Sequence, residues 1–236
     1  MSLSDLRERD VLRSDGGRKM TILGPSGRRL APDEQKKLDG SWEGSRFTVR
    51  GDGVPIIVSR AGDLFEVVGE GKVREWQPEG YELARREIGG TDDLRPRDTV
   101  PDGTHGLIVL GTRGLIRVRP ERAAQAVRFP EAAKGLPPWS AVTPLTDGSA
   151  LLLGGTSAFQ REPRPTLVRA DGRLVKLALG GPQWCDQFDG TLAAVASSDP
   201  GGLARMPNGD YVLSDKNCGR IYRFRLPKTL TGPTPR

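Results

Sequence analysis

The sequence predicts an all-β fold, a β-propeller of about five four-stranded blades, on three observations. A single pattern recurs five times: a strand, an Asp-Gly or Asn-Gly turn, an apolar strand, a second glycine turn and a further strand. The turn glycines stand at positions 16, 53, 103, 148 and 209, spaced 37, 50, 45 and 61 residues apart, against about 40–50 residues for a propeller blade. No segment keeps apolar residues at i, i+3 and i+4 beyond a turn or two. The best helical candidates, residues 4–12 and 32–38, are short and charged. A β-sandwich also spaces short strands evenly, and an incomplete larger propeller carries the same repeat. Repetition of the whole motif, not of strands alone, favours the propeller.

The copies run in order. Asp15-Gly16 leads to the apolar run 20–23, followed by the Pro25-Ser26-Gly27 turn. Asp52-Gly53 leads to 56–58, a turn at Gly62 and a strand over 64–68. Asp102-Gly103 leads to 107–110, a turn at Gly114 and a strand over 115–118. Asp147-Gly148 leads to 151–153 and an outer hairpin over 167–175. Asn208-Gly209 leads to 211–214, a turn at Gly219 and a strand to Phe224. In the tightest hairpins both central residues take φ > 0, which fits Asp-Gly and Asn-Gly. Two insertions, 156–165 and 180–198, account for the long last interval. The final blade lacks an outermost strand, because residues 229–236 read as a tail. Residues 5–13 are expected to supply that strand and close the ring. The domain is expected to span 1–228, with 229–236 as a C-terminal tail.

A chain of 236 residues suits one domain with a substantial core. Gly 31 and Pro 19 are high together, which fits many tight turns. No stretch approaches the roughly 18 apolar residues of a membrane-spanning helix. The charged N-terminus lacks the apolar core of a secretory signal. That places the chain as it stands in the cytoplasm, or outside the cell if a leader has been removed. Cys185 and Cys218 are the two cysteines; they are either a disulfide, which would favour an oxidising compartment, or two unrelated thiols. With His105 as the lone histidine, they cannot assemble the usual four-ligand structural zinc site.

The stretch from Phe188 to Phe224 resembles an NHL repeat. That family's blades carry Pro-x-Gly-Leu/Val-Ala, an Asp-Gly turn, an apolar strand ending in Ala-Asp, then Asn-x-Arg-Ile/Val and an aromatic or basic strand. Pro200, Gly202, Leu203, Ala204, Asn208, Gly209, Tyr211, Val212, Asp215, Asn217, Arg220 and Ile221 occupy matching positions. Upstream copies have Ser59-Arg60 and Gly111-Thr112 where the family has Asp and Asn. The resemblance implies a ring that serves as a recognition platform or extracellular sensor. It also raises metal-dependent lactonases and lyases, in which a channel-facing Glu, Asn and Asp, or several histidines, serve the chemistry. Asp215 and Asn217 resemble part of the former set, but Asp and Asn also brace ordinary turns.

No Gly-x-Ser-x-Gly elbow, phosphate loop or dinucleotide fingerprint is present, so no catalytic residue is assigned. His105 follows an Asp-Gly turn and reads as an exposed turn residue. The loops at 90–94 and 198–200 place carboxylates where a channel mouth could take Ca²⁺ or Mg²⁺, without Asp-x-Asp-x-Asp spacing. The net charge of +6 attracts polyanions. Only 6% of residues are aromatic, and no stacking platform accompanies the arginines, which argues against a dedicated nucleic-acid site. Arg117 and Arg119, and likewise Arg223 and Arg225, project together because alternate strand residues share a face. Trp139 and Trp184 sit between blades, where loop aromatics either anchor ligands or pack. The expected function is therefore a non-enzymatic recognition module for a protein or small ligand at a propeller face. The alternatives are a metal-dependent lactonase- or lyase-like propeller and a basic RNA-binding one. The expected binding residues are Trp184, Asp215, Asn217 and Arg220.

Overall fold

A computed structural model of the chain describes residues 11–14 and 20–23, by backbone only, and 45–69, 72–89, 94–129, 139–154, 165–177, 200–206, 208–215 and 219–226. The expected all-β architecture is present. The hairpin β1 (Val11–Ser14) and β2 (Met20–Leu23) comes first. Three four-stranded antiparallel sheets follow. They are β3 (Arg46–Val49), β4 (Pro55–Val58), β5 (Leu64–Gly69) and β6 (Lys72–Glu75); β7 (Asp98–Pro101), β8 (Leu107–Leu110), β9 (Gly114–Arg119) and β10 (Arg122–Arg128); and β11 (Trp139–Pro144), β12 (Ala150–Gly154), β13 (Thr166–Val168) and β14 (Leu174–Lys176). The last sheet has three strands, β15 (Pro200–Arg205), β16 (Tyr211–Asp215) and β17 (Arg220–Phe224). A helix, α1 (Tyr81–Gly89), joins the first four-stranded sheet to the second.

Five repeats thus give four propeller sheets and a two-stranded hairpin, not five four-stranded blades. Among the described residues the first copy carries two strands and the last sheet three; the tail 229–236 lies outside them. The N-terminal strand pairs with β2, Val11 opposite Leu23, and belongs to a sheet separate from β17. Leu12, read as helical, is in that strand. Residues 32–38 lie outside the described residues, and among those described the helix is α1, buried through Tyr81, Ala84 and Ile88 on one side. Glu82 pairs with Arg85 and Arg86 on the other.

One turn recurs between strands. In it a backbone N–H reaches the carbonyl four residues on, and the N–H of the glycine bonds back to the first residue's carbonyl. It occurs at Arg50–Val54, Ser59–Asp63, Leu145–Ser149, Arg169–Arg173 and Met206–Asp210. Gly53, Gly62, Gly148, Gly172 and Gly209 all have positive φ, from 80° to 101°. The residue before each does not. This is a type I turn closed by a left-handed glycine, so only one of the two expected positive-φ positions is used. The Asp or Asn before the glycine serves another purpose: Asp52, Asp147, Asp171 and Asn208 each accept the N–H two residues on, the local bond that favours these residues in turns.

Burial shows how the sheets pack. All four residues of β8 and all five of β12 are buried, as expected of strands covered on both faces. Three apolar clusters fill the three junctions between successive sheets. Ile56, Val58 and Leu64 meet Leu107 and Val109; Ile108, Leu110 and Leu115 meet Val142 and Leu152; Leu151, Leu153 and Leu167 meet Tyr211, Leu213 and Tyr222. In β16 burial alternates instead, with Tyr211 and Leu213 buried and Val212 and Ser214 half-exposed. The last sheet is covered on one face. Among the described residues, no fourth cluster joins it to the first sheet.

Candidate functional site

Of the first strands, β3 packs against β7, β7 against β11 and β11 against β15, so these four strands face one axis. Their side chains open a cleft of about 760 Å³, within the size range of small-ligand sites. Thr48, Asp98, Thr99 and Thr143 give it a polar wall, and it runs onto the uncovered face of the last sheet past Ala204, Val212, Ser214 and Ile221. Val100, Pro101, Pro144, Leu203 and Met206 make the rest mostly apolar, with Arg205 also on the lining.

Asp98 is fixed by two backbone donors, each 2.8 Å away: the N–H of Thr99 and, across the junction, the N–H of Val142. Burial raises the pKa of its carboxyl, and these two bonds work against that rise. Thr99 beside it is 5% exposed, and its Oγ1 is buried without a hydrogen-bond partner. A second pocket of about 360 Å³ lies beside α1, near Trp76, Tyr81 and Glu82. Arg85 and Arg86 already occupy Glu82 there, and Arg85 also takes Asp63.

The paired arginines of the outer strands do project together, onto an acid of their own sheet. Arg117 and Arg119 lie 3.1 and 3.0 Å from Asp102. Arg223 and Arg225 both donate to Asp210, whose pKa is lowered by them. Arg169 reaches Asp147 at 3.5 Å. In the first sheet the signs are exchanged: Glu66 on β5, at the register position of Arg117 and Arg223, accepts from Arg50 and Arg74. These arginines act as braces between a turn and a third strand. His105 is exposed, as expected, with Nδ1 3.0 Å from Asp52 of the preceding sheet. Trp139 is not a loop anchor: it opens β11, is buried, and packs edge-on against Phe129 at 4.5 Å.

Of the expected binding residues, Arg220 is exposed at the start of β17 and stands opposite Asp215 at the end of β16. The next pair in register, Ser214 and Ile221, lines the cleft, so this pair borders it. Trp184, Cys185, Asn217 and Cys218 lie outside the described residues, as do residues 90–93 and 198–199. Asp98 and Thr99 were missed from sequence. Their only signal is a charged residue opening a short inner strand, which nothing in the repeat distinguishes. Among the described residues, no three His, Cys, Asp or Glu side chains gather as a metal site, and no helix is long and apolar enough to cross a membrane.

Up-and-down sheets, inner strands around one axis and apolar junctions between successive sheets decide the architecture. The chain is a β-propeller. Solved propeller structures agree. A streptogramin B lyase superposes with a TM-score of 0.52 at 12% identity, covering 92% of this chain and 65% of the lyase. Virginiamycin B lyase from Staphylococcus aureus gives 0.51 at 10%, covering 92% and 66%. The extracellular domain of a B. thetaiotaomicron protein described as a hybrid two-component system gives 0.52 at 11%, covering 95% and 25%. The chain spans about two thirds of the lyases' length and a quarter of that extracellular domain's. At these identities the likeness is one of fold. No family model and no curated protein sequence matches the chain.

Proposed function

We propose that this propeller is a non-enzymatic recognition module, of the NHL type that its last sheet resembles, and that it holds a small ligand in the axial cleft. The cleft itself carries the reading: it is mostly apolar, with a few convergent polar groups, the usual make-up of a ligand site. Among the described residues its lining contains Asp98, Arg205, threonines and Ser214, and no His, Cys, Lys or Glu, which gives no support to a catalytic set built on a histidine or cysteine. Asp215 and Arg220 extend the site at its edge, and Trp184 and Asn217 join it on sequence grounds. Ca²⁺ or Mg²⁺ at the channel mouth would belong to the second reading, a lyase- or lactonase-like enzyme, which the fold of the neighbouring lyases supports. An RNA-binding role has less support, because Arg117, Arg119, Arg223 and Arg225 are engaged with their own acids.

The test uses the full chain with anilinonaphthalene sulfonate, an anionic dye whose aromatic body fluoresces in apolar surroundings. Enhanced fluorescence that is lost on Ala204→Trp, with the melting temperature retained, supports the cleft. Trp184→Ala extends the test to the insertion: lost binding with an intact fold places it in the site, and lost folding makes it packing. Turnover of a lactone with Ca²⁺ or Mg²⁺, abolished by Asp215→Ala, would overturn the recognition reading.

A further inference from the structure

The buried and half-buried carboxylates among the described residues follow a rule with one exception. Among the described residues, Asp52, Asp63, Glu66, Asp102, Asp147 and Asp210 are buried or half-buried, and each is in an ion pair with an arginine. Asp98, also withdrawn from solvent, has only the backbone N–H groups of Thr99 and Val142. Arg46 acts on it through space and makes no hydrogen bond to it; its Nε and Nη1 donate to the carbonyls of Arg97 and Ser45. A carboxylate has about four lone-pair positions, and two of these are filled. Beside it the Thr99 hydroxyl is buried and unpartnered, and such a group destabilises a fold unless something completes it. Both residues line the same cleft.

We propose that the axial cleft takes an amphipathic ligand bearing a protonated amine, with Asp98 as its counter-charge. This rests on the reading of the cleft as a binding site. An ammonium offers three donors and no acceptor, which suits a carboxylate with spare lone pairs. The ligand's apolar body lies along Val100, Pro101, Pro144, Leu203, Val212 and Ile221. Arg205 does not oppose the amine, because Asp98 opens its inner strand and Arg205 closes β15. The rise in the Asp98 pKa, caused by burial, marks a charge that a cation would stabilise.

The test is an NMR titration of the ¹⁵N-labelled full chain with hexylamine, 1-hexanol and hexanoate at neutral pH. Hexylamine is expected to bind at least tenfold more tightly than hexanol, and hexanoate no better than hexanol. Asp98→Asn should bring hexylamine down to the alcohol's affinity. Thr99→Val, on the other face of the strand, should leave the amine-to-alcohol ratio unchanged while keeping or raising the melting temperature, because it removes an unpaired buried hydroxyl. Should Asp98→Asn fail to fold, the amine-to-alcohol ratio of the native chain decides. Equal binding of hexylamine and hexanol, both lost in Ala204→Trp, would overturn the amine assignment and leave the cleft reading in place. Binding of neither would overturn both.

Discussion

Arg117 lies 3.1 Å from Asp102 in its own sheet and donates across the junction to the carbonyls of Gly148 and Ser149. Its guanidinium is largely withdrawn from solvent, and burial lowers its pKa. One residue thereby ties the second sheet's turn to the third's. Asp52 does the same one junction earlier, through its N–H to Thr104 at 2.8 Å and its carboxylate to His105. The apolar clusters hold the sheets together, and these polar ties fix their relative register at the turn end.

The first prediction follows from that pair. Removing the acid strands a buried cation, which costs about 3–5 kcal/mol, whereas replacing the cation by an apolar side chain of similar volume is often close to neutral. Asp102→Ala should therefore lower the melting temperature far more than Arg117→Met, and adding Arg117→Met to Asp102→Ala should recover part of the loss. Calorimetry on the three variants reads this directly. A larger loss for Arg117→Met would show that its bonds to the next turn outweigh the buried charge.

Much of this arrangement was legible in the sequence, because local chemistry repeats with the blade. Among the described residues each Asp-Gly or Asn-Gly pair marks a turn, and the apolar runs at 107–110 and 151–153 are central strands since both their faces are covered. The helix at Tyr81–Gly89 was not legible. It buries only Tyr81, Ala84 and Ile88 among charged neighbours, so its period spans too few turns to stand out. The cleft was not legible. The register places Asp215 and Arg220 one pair beyond Ser214 and Ile221, while Asp98 acquires its setting from Val142, 44 residues away, and no local pattern encodes that contact.

Acid should unfold the propeller partly through Asp52. Its hydrogen bonds with Arg50 hold its carboxyl below the usual range, against burial and with help from the Val54 N–H and His105. A depressed folded pKa gives stability that is complete above the unfolded value, roughly 3.9, and is lost as pH falls below it toward the folded one. Asp98, with its raised pKa, contributes in the opposite sense, since protonation relieves its burial. Asp52→Asn should cost on the order of 1–3 kcal/mol at neutral pH and give a shallower fall in melting temperature between about pH 4 and 2. Parallel melting curves of the variant and the native chain over that window would count against this role.

Two glycines separate steric from conformational need. A Cβ on Gly106 would stand 2.1 Å from the Asp102 carbonyl oxygen and 2.9 Å from that of Val118, so the backbone itself must move. A Cβ on Gly209 meets nothing within 4 Å, but φ is +85°, which costs a non-glycine residue about 1–2 kcal/mol. Gly106→Ala should thus destabilise well beyond Gly209→Ala in urea unfolding. Equal midpoints would mean that the 102–106 loop relaxes without loss.

The uncovered face of the last sheet gives the final contrast. Leu213 and Ile221 are both apolar residues of neighbouring strands, but Leu213 is 0% exposed in the junction with the third sheet, and Ile221 is 76% exposed on the opposite face. Truncating a buried leucine loses both transfer free energy and packing, about 2–5 kcal/mol. A surface substitution away from special features stays within about 0.5 kcal/mol. Leu213→Ala should therefore lower stability severely, while Ile221→Ser should leave it unchanged and reduce anilinonaphthalene sulfonate fluorescence, because Ile221 lines the cleft. A loss for Ile221→Ser comparable to that for Leu213→Ala would mean that this face is covered in solution, and the axial cleft would then be closed to ligands on that side.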